Sequence, residues 1–291
     1  MISVKINSNT QFIPESWNEL SLPEARRFAA CVLDGVEREN LKLELLLTRF
    51  PELKKTLRKL EKVQRKGDHE QFWERTEELT ILLEQLYNFL YKEITVEKEK
   101  INVIDSKLTI QLVPSIAGYI GPENFSKLEI WEFSLAEMAF NDYFSNGNAE
   151  SLDKLIAILY RPKKSFLFLK KKWASYNGDP RQPFNDQLIA DRVRSLSSEA
   201  CRRDKYLVSL WFEGWLKQLP SLFPKLYEQK KSSGGEAGSW SDTILLVARN
   251  EHHEADQVAR RNLFQFLRER ELQIIEREQT EIELERMRSK R

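Results

Sequence analysis

Residues 125–162 read FSKLEIWEFSLAEMAFNDYFSNGNAESLDKLIAILYRP, the most apolar and least charged stretch of the chain, and they decide its fold. Leu152, Leu155, Ile156, Leu159 and Tyr160 recur at the spacing of one helical face. Ala157 and Ile158 widen that stripe until little polar surface is left, so this helix is predicted to sit deep in the core. Asn148 offers a capping oxygen at its start, and Pro162, which has no N–H for the ladder, stops it just after Tyr160. Before it, Ile130, Trp131, Phe133, Met138, Phe140, Tyr143 and Phe144 surround most of a first helix. Ser145 to Asn148 make the turn, with Gly147 free to take positive φ. Burying side chains of this kind contributes roughly 1.5–3 kcal/mol each. The pair is predicted to be the structural centre.

Around it, the composition sets bounds. A chain of 291 residues can hold one large or two small domains. Its 46 basic residues stand against 45 acidic ones, a formal net charge of +1 that gives no global attraction to nucleic acid or anionic membranes. With 41% hydrophobic and 31% charged residues, it reads as a mainly α, multi-helix globular bundle. No window approaches a membrane span, and MISVKINSN lacks the apolar block of a signal peptide. Cys31 and Cys201 lie far apart in helical patterns and read as free thiols of a reducing cytosol.

Toward the N-terminus, Ile2, Val4 and Ile6 alternate with Ser3 and Lys5, and Gln11-Phe12-Ile13 runs back after a polar turn. This is a β-hairpin, expected to be the only one. Ser21-Leu22-Pro23-Glu24 opens a helix with Phe28, Ala29, Val32 and Leu33 as its inner stripe. Leu41 to Phe50 forms a second, broken by Pro51. The next carries Leu53, Leu57 and Leu60 among Lys54, Lys55, Arg58, Lys59, Lys62, Arg65 and Lys66, and reads as a solvated basic face. A long helix is expected over Glu70 to Lys92; for 101–120 strand and helix stay open.

On the C-terminal side, Arg161, Lys163, Lys164, Lys170, Lys171 and Lys172 alternate with Phe166, Phe168, Trp173 and Tyr176. Cations interleaved with rings are the chemistry of single-stranded nucleic-acid binding, but an exposed basic loop is the preferred reading. Asn185 can cap a helix with Leu188, Ile189 and Val193 inside, and Ser198 to Leu219 follows, its Trp211 and Trp215 read as core. The polar run after Glu228 is a flexible linker. The chain thus divides into a helical body over 1–228 with the N-terminal hairpin, a linker over 229–239, and a C-terminal helical module with a charged tail over 240–291. In that module Ile244, Leu245, Val247 and Ala248 are placed inside a first helix. A last helix carries Val258, Leu263, Phe264, Phe266, Leu267, Ile274 and Ile275.

No Gly-rich phosphate loop, nucleophile elbow, CxxC or HExxH occurs, so the reading is non-enzymatic, with no cofactor. His252 and Asp256 would lie one helical turn apart, but no third or fourth ligand stands near, and no metal is assigned.

IPESWNEL at 13–20, EFSLAEMAF at 132–140, LDKLIAILYRP at 152–162 and GDPRQPFN at 178–185 together resemble an uncharacterised family from tail-gene regions of bacterial phages and prophages. Its members resemble tail assembly chaperones, encoded beside the tape-measure gene. The resemblance spans most of Ile13 to Phe223, more faintly Trp240 to Phe264. It implies a virion-assembly factor in the host cytoplasm that lends an apolar helical client a temporary partner. The face expected to hold that client is Trp240, Val258, Leu263, Phe264, Leu267 and Ile274, docked on the body at rest. Removing the chain from about Gly235 is expected to leave a folded body without client-holding activity. Self-association is left open, and the alternative is a nucleic-acid-binding accessory protein using Lys163, Lys164, Lys170, Lys171, Lys172 and Trp173.

Overall fold

The computed structural model describes residues 2–6, 9–65, 83, 85–97, 99–165, 178–232 and 240–289. Two compact units emerge: residues 1–113 with 202–211, and residues 114–201 with 212–291. The fold is mainly helical, as the periodicities require, with small antiparallel hairpins.

In the first unit, β1 (Ile2–Ile6) pairs with β2 (Asn9–Ile13), Ile2 opposite Ile13. Helix α1 (Leu22–Leu33) opens on a reciprocal cap. Ser21 takes the Glu24 N–H, and the Ser21 N–H donates to Glu24 Oε2 at 2.9 Å. Phe28 and Ala29 are fully buried, whereas Val32 and Leu33 are only half-buried. Helix α2 (Arg38–Arg49) buries Leu41, Leu45 and Leu46 and stops short of Pro51. In α3 (Leu53–Arg65), Lys54, Lys55, Arg58, Lys59 and Lys62 are exposed, as expected of a solvated face.

The helix expected over Glu70 to Lys92 does not reach its end. Residues 70–82 lie outside the described residues, and by Tyr87 the backbone has swung to φ 56°. Tyr91–Val96 is strand β3, paired with β4 (Glu99–Ile104), so the N-terminal hairpin is not the only one. Leu83, Leu86 and Leu90 still reach the core. The buried Lys42 sits where the helix ends: its Nζ donates to Leu83 O at 2.9 Å and to Asn88 Oδ1 at 2.8 Å, taking up a carbonyl where the ladder stops. The open stretch 101–120 resolves into the end of β4, then irregular chain in which Leu108 and Val113 are buried. Ser106 Oγ donates to Leu210 O at 2.7 Å, and Trp211 Nε1 donates to Thr109 O at 3.1 Å.

The second unit begins with a third small hairpin, β5 (Ser115–Ile116) and β6 (Tyr119–Ile120). Helices α4 (Ile130–Asn146) and α5 (Ala149–Leu159) follow as the expected antiparallel pair. Gly147 takes φ 64° at the α4 C-cap, and Asn148 Oδ1 accepts from Glu150 N at 3.0 Å. Leu155, Ile156, Ala157, Leu159 and Tyr160 are fully buried. The outer side of α4 is less buried than its sequence suggests. Met138 and Phe144 are exposed, because Glu132, Ala136 and Ala139 take inward positions instead.

Helix α6 (Ile189–Leu196) also turns differently: Leu188 is exposed, Ile189 and Val193 are half-buried, and Arg192 and Leu196 point inward. The Arg192 guanidinium reaches Ala157 O at 2.9 Å and Asn185 O at 3.1 Å, which explains why a charge displaces the aliphatic residues there.

Helix α7 (Arg202–Leu222) carries Pro220 within its last turn. Helix α8 (Pro224–Ser232) then occupies the first part of the expected linker, and 233–239 lie outside the described residues. The C-terminal helices are α9 (Trp240–Glu251), α10 (Ala255–Ala259) and α11 (Leu263–Ser289). The expected single last helix is therefore two, broken at 260–262. There the chain lies along 128–130 in an extended contact: Ile130 N donates to Arg261 O at 3.0 Å and Leu263 N to Leu128 O at 2.8 Å. No helix among the described residues is long and apolar enough to cross a membrane.

Candidate functional site

The chemistry of the second unit separates into an interior and an outward face. Inside, Glu132 on α4 meets Arg161 and Arg181, at 3.1 Å to Arg161 Nη2 and 2.6 Å to Arg181 Nη1. Asp179 completes the group, 2.8 Å from Arg181 Nη2 and 3.3 Å from Arg161 Nη2. Arg181 Nη1 also donates to Leu159 O at 2.8 Å, the last carbonyl of α5. The Arg161 backbone pairs with Ile120 in both directions, and its guanidinium lies 5.7 Å from the Phe184 ring centroid. All four charged groups are buried, and their charges cancel.

Burial, together with the neighbouring Arg181 charge, lowers the proton affinity of Arg161 despite the nearby carboxylates. Burial also works against the Arg181 charge, but Glu132 and Asp179 more than offset it and hold that guanidinium protonated. Burial would raise Asp179, yet hydrogen bonds from Arg181 keep its carboxyl below the usual range. Beside this group Glu129 is pushed up to about 6, first by burial and then by the charge of Glu132. Breaking one member of such a quartet leaves an uncompensated interior charge. The geometry is that of a lock between α4, the end of α5 and the 179–181 turn.

Nothing in the spacing signals this quartet. Arg161 reads in sequence as the first cation of a basic surface run, and the structure withdraws it into the interior. Lys164 Nζ donates to Asp179 O at 2.8 Å, and Lys163 is exposed with its backbone bridged to Arg181. Lys170, Lys171, Lys172 and Trp173 lie outside the described residues, as do Phe166, Phe168 and Tyr176. All four quartet residues fall within the motifs EFSLAEMAF, LDKLIAILYRP and GDPRQPFN, so three segments distant in sequence converge on one buried point.

The face expected to hold a client is also interior. Trp240, Val258, Leu263, Leu267 and Ile274 are buried, and Phe264 is half-buried. The Trp240 ring meets Phe133 edge-on at 5.7 Å, while Phe264 lies 5.7 Å from both Trp215 and Phe223. Phe125 stacks on Trp215 at 5.1 Å and packs against Phe133 and Phe212 at 5.7 and 5.5 Å. These aromatics form a continuous core of the unit. His252 and His253 are exposed at the end of α9, with His252 at φ 57°, while Asp256 belongs to α10, so the expected helical spacing does not form. Among the described residues no group of three or more His, Cys, Asp or Glu is placed to hold a metal ion.

Apolar side chains the core leaves behind face outward on the same helices. On α9, Leu245 and Leu246 are 58% and 50% exposed, although Leu245 reads as an inner position in sequence. On α11, Leu272 and Ile282 are 44% and 50% exposed, and every described residue from Glu276 to Ser289 is exposed. No family model, curated protein or solved structure matches this chain.

Proposed function

We propose that this chain is a non-enzymatic phage or prophage tail assembly factor. In the bacterial cytoplasm it would hold an apolar helical client, such as a tape-measure protein, until the tail tube closes round it. One observation carries the reading. Helix α9 is apolar on two faces, with Trp240, Ile244 and Val247 buried in the unit while Leu245 and Leu246 stand in solvent. A helix needs one apolar face to fold against its own core; a second is available to a partner helix. The resemblance of the four sequence motifs to tail assembly chaperones supports the same class of activity.

The contact face belongs on the outward residues, since Val258, Leu263 and Leu267 already serve the unit's own core. Removing the chain from about Gly235 would strip Trp240 and Phe264 from the aromatic cluster, and the buried Phe266 with them, and leave an unfolded unit rather than a working body. The informative variant is Leu245→Ser with Leu246→Ser, which leaves the core intact and should change stability by no more than about 0.5 kcal/mol per site. Co-expressed with the tape-measure protein encoded beside members of the resembling family, it should fold yet leave that client in the pellet. Equal rescue by wild type and variant would remove the reading.

A further inference from the structure

The outward side of α11 carries more than scattered apolar residues. Leu272, Ile275, Gln279 and Ile282 follow each other at three- and four-residue steps, which places them on one stripe of the helix. Leu272 and Ile282 are exposed and Ile275 is half-buried. The core-facing residues Leu263, Phe266, Leu267 and Ile274 lie on a different side of the same helix. Glu276 and Glu283 run along one border of the stripe and Glu278 and Glu285 along the other. Glu278 is partly neutralised by Lys225 Nζ at 2.9 Å; Glu276, Glu283 and Glu285 are exposed. From Leu272 to Glu285 the stripe extends for about 20 Å at the helical rise, the length of a short partner helix.

Accepting the client-binding reading above, we propose that this stripe docks a basic amphipathic helix of the client. The partner's aliphatic side chains would sit on Leu272, Ile275 and Ile282, with lysine or arginine heads against the two glutamate borders. Charge complementarity selects this occupant. A helix with neutral polar flanks would gain no ion pairs from these carboxylates, an acidic one would be repelled, and a second α11 would bring this glutamate-rich segment against its own kind.

Fluorescence anisotropy on the full chain tests this with two labelled synthetic peptides of about fourteen residues, matching the stripe at the helical rise. Both carry the same leucine stripe, one flanked by lysines and the other by glutamines. The lysine peptide should bind at least tenfold more tightly at low salt, and lose that advantage as salt screens the contact. Changing Glu276, Glu283 and Glu285 to Lys, all on exposed sites, should abolish its binding while leaving the circular dichroism and urea midpoint unchanged. Equal binding of both peptides would overturn the charge selection and leave the client-binding reading standing. Binding of neither, with the client still kept soluble in co-expression, would overturn this inference alone. Tight lysine-peptide binding with no effect of the Leu245/Leu246 variant on client solubility would count against the broader reading instead. Sedimentation showing that the chain self-associates, and that the triple variant does not, would make a second copy the occupant and reject a client helix.

Discussion

Two stretches of the second unit use charge in opposite ways. Around α4 and α5, Glu132, Arg161, Asp179 and Arg181 are buried and matched, each carboxylate held by both guanidinium groups. Along the far half of α11, Glu276, Glu281, Glu283 and Glu285 stand in water on a helix with no buried residue beyond Ile274. The first arrangement fixes one packing, because an unmatched charge inside a protein is strongly unfavourable. The second adds little to folding and leaves the residues free to meet something else. Stability and recognition are therefore expected to separate by region.

The largest effect should come from unmatching the quartet. Glu132→Gln leaves Arg161 and Arg181 sharing only Asp179, and should cost about 3–5 kcal/mol in urea unfolding. The same change at Glu283 should fall within about 0.5 kcal/mol. Similar losses at the two sites would break the comparison. Next comes Leu155→Ala, which empties a fully buried site on α5 and should cost about 2–5 kcal/mol. Ile282→Ala, on an exposed site, should again be within about 0.5 kcal/mol.

A smaller effect sharpens the picture at the edge of the quartet. Glu129 is raised from 4.5 to about 6 in the folded chain, so folding favours its protonated form. That contribution is complete below the unfolded value and is lost as pH rises through about 6. Stability should therefore fall as pH rises from 4.5 to about 6, to an extent of about 1 kcal/mol after allowing for the side chain's partial exposure. Glu129→Gln should flatten this slope and stabilise the chain at pH 7 by a similar amount. Asp179 works in the opposite sense: its lowered carboxyl adds stability above the ordinary aspartate range that is lost only in stronger acid. The two windows do not overlap, so a melting series from pH 7 to pH 3 resolves both.

The sequence was legible where structure is local. Asn148, Gly147 and Pro162 mark the boundaries of α4 and α5 by capping and ring chemistry, and the apolar period of α5 reports its burial directly. It was not legible where long-range partners decide. Glu132 is 29 residues from Arg161 and 49 from Arg181, so although Asp179 and Arg181 are near neighbours, no local window shows that Glu132 joins them. Arg161 consequently looks like its lysine neighbours. Periodicity also persists through Leu86 and Leu90 after the helix has ended, since both remain buried in a new geometry. In the C-terminal helices the pattern locates the apolar residues without saying which face the rest of the unit covers. Val258 and Leu267 are taken by the core; Leu245, read as inner, is left outside.

That last distinction is the centre of the account, and site-specific photo-crosslinking tests it directly. A benzophenone amino acid is placed in turn at Leu246, at Leu272 and at Phe264, and the chain is co-expressed with the tape-measure client and irradiated. Cross-links to the client should form from positions 246 and 272 and not from 264, where the side chain packs against Trp215 and Phe223. A client cross-link from 264, with none from 246 or 272, would mean that the C-terminal helices undock and bind through their buried stripe, and would contradict the assignment of recognition to the outward face.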